Sequence, residues 1–522
     1  MKQIYTIFLI VFFSLISVSC AVNPVTGESQ FSLLSRQDEI AIGNEQYGPA
    51  QQSQGGQYTV DFELTRYVNE VGQRLADQAK RDYVLPYEFV VLNNSVPNAW
   101  ALPGGKIAVN RGLLMELDNE AELAAVLGHE VVHAAARHGA TAMSRGQLLQ
   151  GVLTVGAIAS QEMAYSDYIV GAGQLGAQLI SQRYGRDAER EADYYGIQYM
   201  VQAGYDPRAA VSLQETFVRL SEGRDSSWID GLFASHPPSE ERVANNQALV
   251  DEIMPLYAGV DLELGEARYQ QALARLRADQ EAYGLFDEAQ RAIADDDLDI
   301  AMLNLNQAIS LVPNEARFSG LKADIQLYQE DYREAIASYS EAILKDAQYF
   351  DYYLGRGVAY SRLGDQNRAR QDLERSTELL PTSTAMNELG KIALNNNNRN
   401  QAKQYFQTAA GGGGAAATEA ALAFTRLDLV DNPGNYVQVQ TFTDDQGRVR
   451  ARVSNQAGIP VTNIQIEFTA AIDGELELRD LRVNSLGANQ SVNLNTGLRF
   501  PEGVQVTSNL LRVRVTGVQA AQ

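Results

Sequence analysis

The sequence predicts a multidomain chain: a mixed α+β domain, then an all-α solenoid, then a small C-terminal β-sandwich. Three observations carry this. At 522 residues the chain exceeds what one hydrophobic core normally serves. A 34-residue period sets in near residue 282. A strict two-residue alternation takes over near residue 435. Apolar content of 45% and charged content of 20% belong to an ordinary folded chain rather than a disordered one. The net charge of −23, from 65 acidic against 42 basic residues, argues against nucleic acid as a partner.

The first 20 residues, MKQIYTIFLIVFFSLISVSC, read as a secretory signal: one lysine, Lys2, precedes an apolar run from Ile4 to Ile16 that is too short for a membrane span. The single cysteine, Cys20, closes this leader and has no partner for a disulfide. Its position suggests a bacterial lipoprotein in which a lipidated Cys20 becomes the first mature residue. Ser17 stands where leucine is usual, however, and plain cleavage after Ala21 is the alternative.

Residues 21–255 mix strand-like stretches, YEFVVLNN and KIAVN, with helical spacing over 119–138, 188–203 and 207–222. The apolar stretch LLQGVLTVGAIAS (148–160) is only 13 residues long and reads as a buried helix. Residues 256–281 read as a linking helix. From 282 to 410 four columns keep one step: Ala301, Ala335 and Ala369; Ala308, Ala342 and Ser376; Leu305, Tyr339 and Leu373; Pro313, Ala347 and Pro381. A fourth copy, with Gly390, Ala402, Phe406 and Ala409, arrives one residue early. Small residues where two helices cross, a large one facing them and a closing proline are the tetratricopeptide signature; such pairs stack into a curved solenoid that binds peptides or proteins. The Gly/Ala-rich stretch 411–434, with Gly411 to Gly414 in a row, reads as a flexible linker. Five alternating stretches within 435–522 then predict the sandwich.

Three of the four histidines fall between positions 129 and 138. On a helix over 119–138, Asn119 can cap, Glu122 can complete a capping box and Gly139 can end the helix. Leu123, Leu127 and Val131 then make an inward stripe, while His129 and His133 share another face one turn apart. Two imidazoles at this spacing can hold one Zn2+, and Glu130 between them can take a proton from an attacking water. His138 lies about 140° round the helix from His133, which excludes it from the same ion and leaves it a structural hydrogen bond. The third ligand must then come from elsewhere. Asp187, Glu189, Glu191 and Asp193 sit on the next predicted helix, where Glu189 and Asp193 share a face. Glu189 is the expected ligand, Asp193 the carboxylate that orients a ligating histidine, and Glu191 points away from both.

H-E-x-x-H followed 56 residues later by E-x-x-A-D resembles the zinc peptidase family of the CAAX prenyl endopeptidases, in its soluble exported bacterial branch. NPVTGESQFSLLSRQDEIAIG (23–43), PNAWALPGGKIAVNRGLL (97–114) and SHPPSEERV (235–243) resemble further segments of that branch. The resemblance implies an α+β zincin-type, gluzincin-like domain holding one Zn2+ per chain. It implies peptide-bond hydrolysis of unfolded or misassembled envelope proteins in the periplasm, with outer-membrane protein assembly machinery among the partners. Anchoring to the inner face of the outer membrane through Cys20 fits Ala21, rather than aspartate, as the next residue. His236 is implied either as a removable fourth ligand or as a group that hydrogen-bonds the reacting carbonyl oxygen. Asn98, Ala99 and Trp100 begin a strand that, if exposed at a sheet edge, would align an extended substrate. A rival reading is a periplasmic chaperone or scaffold that works through its repeats, with the metal site capped or vestigial.

Overall fold

A computed structural model describes residues 20–152, 180, 183–223 and 236–521; the expected leader before Cys20 and most of the 148–160 stretch lie outside these. Among the described residues no helix is long and apolar enough to cross a membrane. The chain divides into two compact units, residues 1–381 and 382–522.

The first unit opens with a hairpin, β1 (Cys20–Val22) and β2 (Ser29–Phe31). Its turn is held by Asn23, whose Oδ1 accepts from Val25 N at 2.9 Å. Helix α1 (Arg36–Ser53) starts with a reciprocal capping box between Ser35 and Asp38, and α2 (Phe62–Ala79) starts at the Asp61 cap. Strands β3 (Glu88–Leu92), β4 (Ala99–Leu102) and β5 (Lys106–Asn110) form one sheet in the order β3-β5-β4, with β3 parallel and β4 antiparallel to β5. Then come α3 (Arg111–Glu116), α4 (Glu120–Ala135), α5 (His138–Val152), α6 (Arg186–Gln202), α7 (Arg208–Gly223) and α8 (Glu240–Ile253). The helices gather against the small sheet, an α+β arrangement, and Leu123, Leu127 and Val131 are fully buried in its core.

The expected helix over 119–138 is in fact two. Asn119 caps α4, accepting from Glu122 N at 3.0 Å, but the Glu122 carboxylate reaches Asp118 N instead, so no capping box forms. The break falls at Arg137, in the left-handed region at φ 64°, and Gly139 lies inside α5. An arginine takes this position because its guanidinium closes on the buried Glu39, Nε to Oε1 at 2.6 Å, and also donates to Ser32 Oγ and the Leu34 carbonyl.

Residues 256–281 are not a linking helix either. After a 3-10 turn (Met254–Tyr257) come two short helices, α9 (Glu266–Ala272) and α10 (Ala274–Ala278), whose Tyr269, Leu273 and Leu276 are buried in the core. That i, i+4, i+7 stripe explains the docking, and the Tyr269 hydroxyl donates to the Leu114 carbonyl at 2.5 Å.

Three helix pairs complete the unit: α11 (Gln280–Ala294) with α12 (Leu298–Leu311), α13 (Ala316–Tyr328) with α14 (Tyr332–Lys345), and α15 (Phe350–Arg362) with α16 (Gln366–Leu379). The repeat columns Ala301, Ala335, Ala369, Leu305, Tyr339 and Leu373 are all buried at the crossings. The repeats also pack on the preceding domain. Asn93 donates to Glu315 at 3.0 Å, the Arg111 guanidinium lies 3.7 Å over the Tyr283 ring, and Gln52 bonds the backbone of Gln348 and Phe350. One continuous core runs from Tyr58 to Ile325.

The second unit begins with a fourth pair, α17 (Ser383–Asn395) and α18 (Arg399–Ala409). The stretch 411–434 is not a flexible linker: it carries α19 (Gly414–Asp431), rich in alanine, the strongest helix former. Ala420 and Leu427 of α19 bury against Ala402 and Phe406, and Lys403 pairs with Asp428 and Asp431. Two three-stranded antiparallel sheets follow: β6 (Val437–Thr443), β7 (Arg448–Asn455) and β10 (Ser491–Arg499) in the order β10-β7-β6, and β8 (Val461–Ile472), β9 (Glu475–Leu486) and β11 (Leu511–Ala520) in the order β11-β8-β9. Val449, Ala451 and Val453 of one sheet meet Ile464, Ile466 and Phe468 of the other in a shared core. The sequence predicts five of the six strands and misses β9, most of whose residues are exposed, Leu476 and Leu478 included.

Candidate active site

Helices α4 and α6 bring the site together, and two glycines let them do so. A Cβ on Gly128 would stand 3.1 Å from the Gly196 carbonyl oxygen, and one on Gly196 would stand 3.1 Å from His129 N. At that separation His129 and His133 of α4 face Glu189 and Asp193 of α6. His236 enters from the segment before α8, whose Ser239 cap accepts from Arg242 N at 3.2 Å.

The donors converge. His129 Nε2 and His133 Nε2 are 3.0 Å apart, and His236 Nδ1 is 3.2 Å from His129 Nε2 and 3.0 Å from Glu189 Oε1. One donor atom from each of His129, His133, Glu189 and His236 lies within 4.8 Å of the other three, and all four residues are buried or nearly so. Two nitrogens on one tetrahedral Zn2+ stand about 3.3 Å apart at bond lengths of 2.0–2.1 Å, so the set fits such an ion.

Beside it, Glu130 is buried, its Oε2 has no hydrogen-bond partner among the described residues, and its Oε1 lies 3.5 Å from His236 Nε2. Burial raises the Glu130 carboxyl above the usual carboxylate range.

The electrostatics favour a positive centre. Burial disfavours the charged form of Glu189, yet the surrounding histidines hold its carboxyl well below the usual range. Asp193 is held at about 2: burial opposes this, but Arg242 and His129 outweigh it. His129, whose charged form burial also disfavours, is pushed up to about 10 by Asp193 and Glu189, whereas burial drives His133 well below its ordinary value. Asp193 Oδ1 lies 3.0 Å from His129 Nδ1, so the carboxylate orients that ring.

His129, Glu130, His133, Glu189, Asp193 and His236 are thus gathered in one place. Asn98, Ala99 and Trp100 are not exposed as expected. Strand β4 does lie at the edge of its sheet, but all three side chains are buried, Trp100 edge-on to Tyr47 at 6.0 Å, because the strand is wedged between α1 and α4. Cys20 is the first residue of β1.

Two participants escape sequence reasoning. Arg242 donates to both oxygens of Asp193, at 2.8 and 2.7 Å, and its Nη1 lies 3.2 Å from Glu189. It falls inside the SHPPSEERV stretch, but an arginine in a first helical turn carries no spacing signal. Tyr184 stacks on His133 with ring centroids 4.1 Å apart. An apolar pocket lined by Val126, Ile197, Leu213 and Phe217 opens onto His129, Glu130 and His236.

Residues 63–250 match the model of peptidase family M48, and residues 350–382 and 383–411 match the tetratricopeptide repeat. The beta-barrel assembly-enhancing protease of Escherichia coli K12 is 30% identical over 335 residues, 60% of this chain and 68% of that protein. The chain belongs to peptidase family M48. As an M48 member it is a metalloendopeptidase that works through a divalent metal. Metalloprotease YcaL of Escherichia coli is 31% identical over 44% of this chain and 85% of its own length. The mitochondrial metalloendopeptidase OMA1 of Schizosaccharomyces pombe is 32% identical over 42% of this chain and 63% of its own. Neither family match extends past residue 411, so the sandwich lies outside both.

Proposed function

We propose that the chain is an exported zinc endopeptidase of the periplasm, anchored to the outer membrane through Cys20, that hydrolyses unfolded or misassembled envelope proteins. The observation that carries the reading is the convergence of His129, His133 and Glu189 beside a buried carboxylate, Glu130, with an unsatisfied oxygen. In this reading those three residues hold the ion. When bound, zinc supplies Lewis acidity for the scissile carbonyl and makes the attacking water more acidic. Glu130 takes the water proton on Oε2 and delivers it to the leaving amine. Asp193, steadied by Arg242, fixes the His129 ring. His236, whose ring nitrogen stands among the same donors, would add its nitrogen to the ion at rest and, when displaced, would hydrogen-bond the carbonyl oxygen. The apolar pocket accepts a side chain next to the cleaved bond. The repeats recruit clients or partners, and the name of the Escherichia coli relative supports beta-barrel assembly as the setting.

A second reading is favoured by one observation: His236 already stands among the four donors, as it would in a permanently capped scaffold protein. Cleavage of an unfolded protein by the His236→Ala variant, with and without Glu130→Gln, separates the two. Loss of cleavage with zinc retained in the Glu130→Gln form supports the peptidase. No cleavage by either zinc-loaded variant, with unfolded chains still bound, supports the scaffold.

A further inference from the structure

The third histidine of the cluster takes no part in the chemistry above, yet it is tightly placed. His138 Nδ1 lies 2.8 Å from His133 Nδ1, and its Nε2 lies 3.4 Å from Glu191 Oε1. Glu191 Oε1 also accepts from Asn23 Nδ2 at 2.6 Å. One set of tautomers satisfies every contact. A His133 ring that gives Nε2 to a metal carries its proton on Nδ1 and donates it to His138 Nδ1. His138 then carries its own proton on Nε2, 3.4 Å from the Glu191 carboxylate that also receives the Asn23 amide. We propose that His138 is a positioning residue that fixes the tautomer and ring angle of His133, with Glu191 and Asn23 fixing His138 in turn. This rests on His133 being a ligand. The two histidines of α4 are thus steadied differently, His129 by a carboxylate and His133 by another imidazole. The β1–β2 turn thereby reaches the His133 ring through Asn23, Glu191 and His138.

The test is Co2+ binding to the full chain, read by its visible absorption and by chelator competition. His138→Leu, which removes the acceptor, weakens affinity about tenfold to a hundredfold and alters the spectrum. His138→Asn keeps an oxygen near the Nδ1 position and restores most of the affinity. Glu191→Met, which leaves His138 in place, causes a smaller loss in the same direction and serves should His138→Leu fail to fold. Wild-type affinity and spectrum in both His138→Leu and Glu191→Met overturn the proposal. A wild-type chain that binds no Co2+, or a His133→Ala variant that binds it unchanged, instead overturns the ligand assignment beneath it.

The sandwich supports a second, independent inference. In a chain of 65 acidic residues, β6, β7 and β10 contain no Asp or Glu and carry Arg448, Arg450, Arg452 and Arg499. Gln438, Gln440, Arg450, Arg452, Asn493 and Asn495 all stand exposed on the outer face of that sheet. Arg448 pairs with Asp444 and Arg499 donates to the Gln446 carbonyl, but Arg450 and Arg452 have no ion-pair partner among the described residues. Phe442, 53% exposed, lies opposite Arg450 in the register. We infer that this face docks on an anionic phospholipid surface. It is three strands wide, with exposed side chains on every strand, which suits a bilayer better than a single enclosed ligand. Guanidinium forks match phosphate, and a carboxylate-free face lets a chain of net charge −23 approach a negative surface.

Sedimentation with phosphatidylglycerol vesicles, using protein that begins at Ala21, tests this. Binding is expected to weaken with salt, to fall about thirtyfold in Arg450→Gln/Arg452→Gln, and to be absent on phosphatidylcholine. Unchanged binding by the double variant overturns the inference. So does binding of soluble polyglutamate through the same two arginines without vesicle binding, which would mark the face as a reader of acidic polypeptides.

Discussion

Gly128 and Gly196 face each other across α4 and α6, and a methyl group on either would press within about 3.1 Å of the opposite backbone. The donor set depends on that approach. Gly196→Ala is expected to push α6 outward by a few tenths of an ångström. Displacements of this kind cost catalysis heavily, so kcat/KM should drop about tenfold while the fold survives. Peptide cleavage and Co2+ affinity, measured beside thermal unfolding, check this: equal activity with equal metal affinity would show that the spacing is not limiting.

Arg242 contacts both Asp193 and Glu189, the buried carboxylates that also face His129. Arg242→Met leaves them with His129 as their remaining positive neighbour and should cost about 3 kcal/mol of stability in metal-free protein. Lysine should recover only part of this, because it cannot reproduce the two-point contact with Asp193. Urea unfolding in the presence of a chelator gives the comparison.

A pH dependence is expected from the repeats. Burial, and then the neighbouring Asp351 charge, raise the Asp324 carboxyl from its ordinary 3.8 to about 8, and burial raises Asp351 as well. The folded chain therefore keeps a proton that the unfolded chain has already released. Stability should fall as pH rises from near 4 to near 8, and level off above that. Asp324→Asn still accepts from the Tyr339 hydroxyl, which donates to Asp324 Oδ1 at 2.5 Å. Urea midpoints across this range should show a flatter profile for the variant, which should be the more stable of the two at pH 8.

Gly390 packs under Phe406, where an added Cβ would meet the ring at 2.5 Å. Gly390→Ala should destabilise the second unit by about 1–3 kcal/mol, and a compensating Phe406→Leu should return part of that. Denaturation followed by circular dichroism reads both. Peptide cleavage should be unchanged in either variant.

What the sequence shows of the site follows from periodicity. His129 with His133, and Glu189 with Asp193, are each one helical turn apart, so their shared faces can be read without coordinates. His236 becomes visible only by resemblance, and Arg242 not at all, because no helical period links residues 236–242 to the two helices that carry the other groups. The structure departs from the sequence pattern where a local signal competes with packing. Four consecutive glycines drew attention from the alanines that build α19. The histidine-rich run has the spacing of one helix, and the turn at Arg137, in a strained conformation, is explained by partners about a hundred residues away, Glu39, Ser32 and the Leu34 carbonyl.

The unbroken core from Tyr58 to Ile325 bears on how this enzyme can be dismantled. A fragment ending at residue 281 would present the cut face of its own interior, and a fragment starting there would present the other half, Tyr283 and Phe286 included. The first repeats are therefore as much a wall of the peptidase as an arm reaching from it. Heat or denaturant that melts them strips the catalytic part of one side, so recruitment and hydrolysis should fail together rather than in turn.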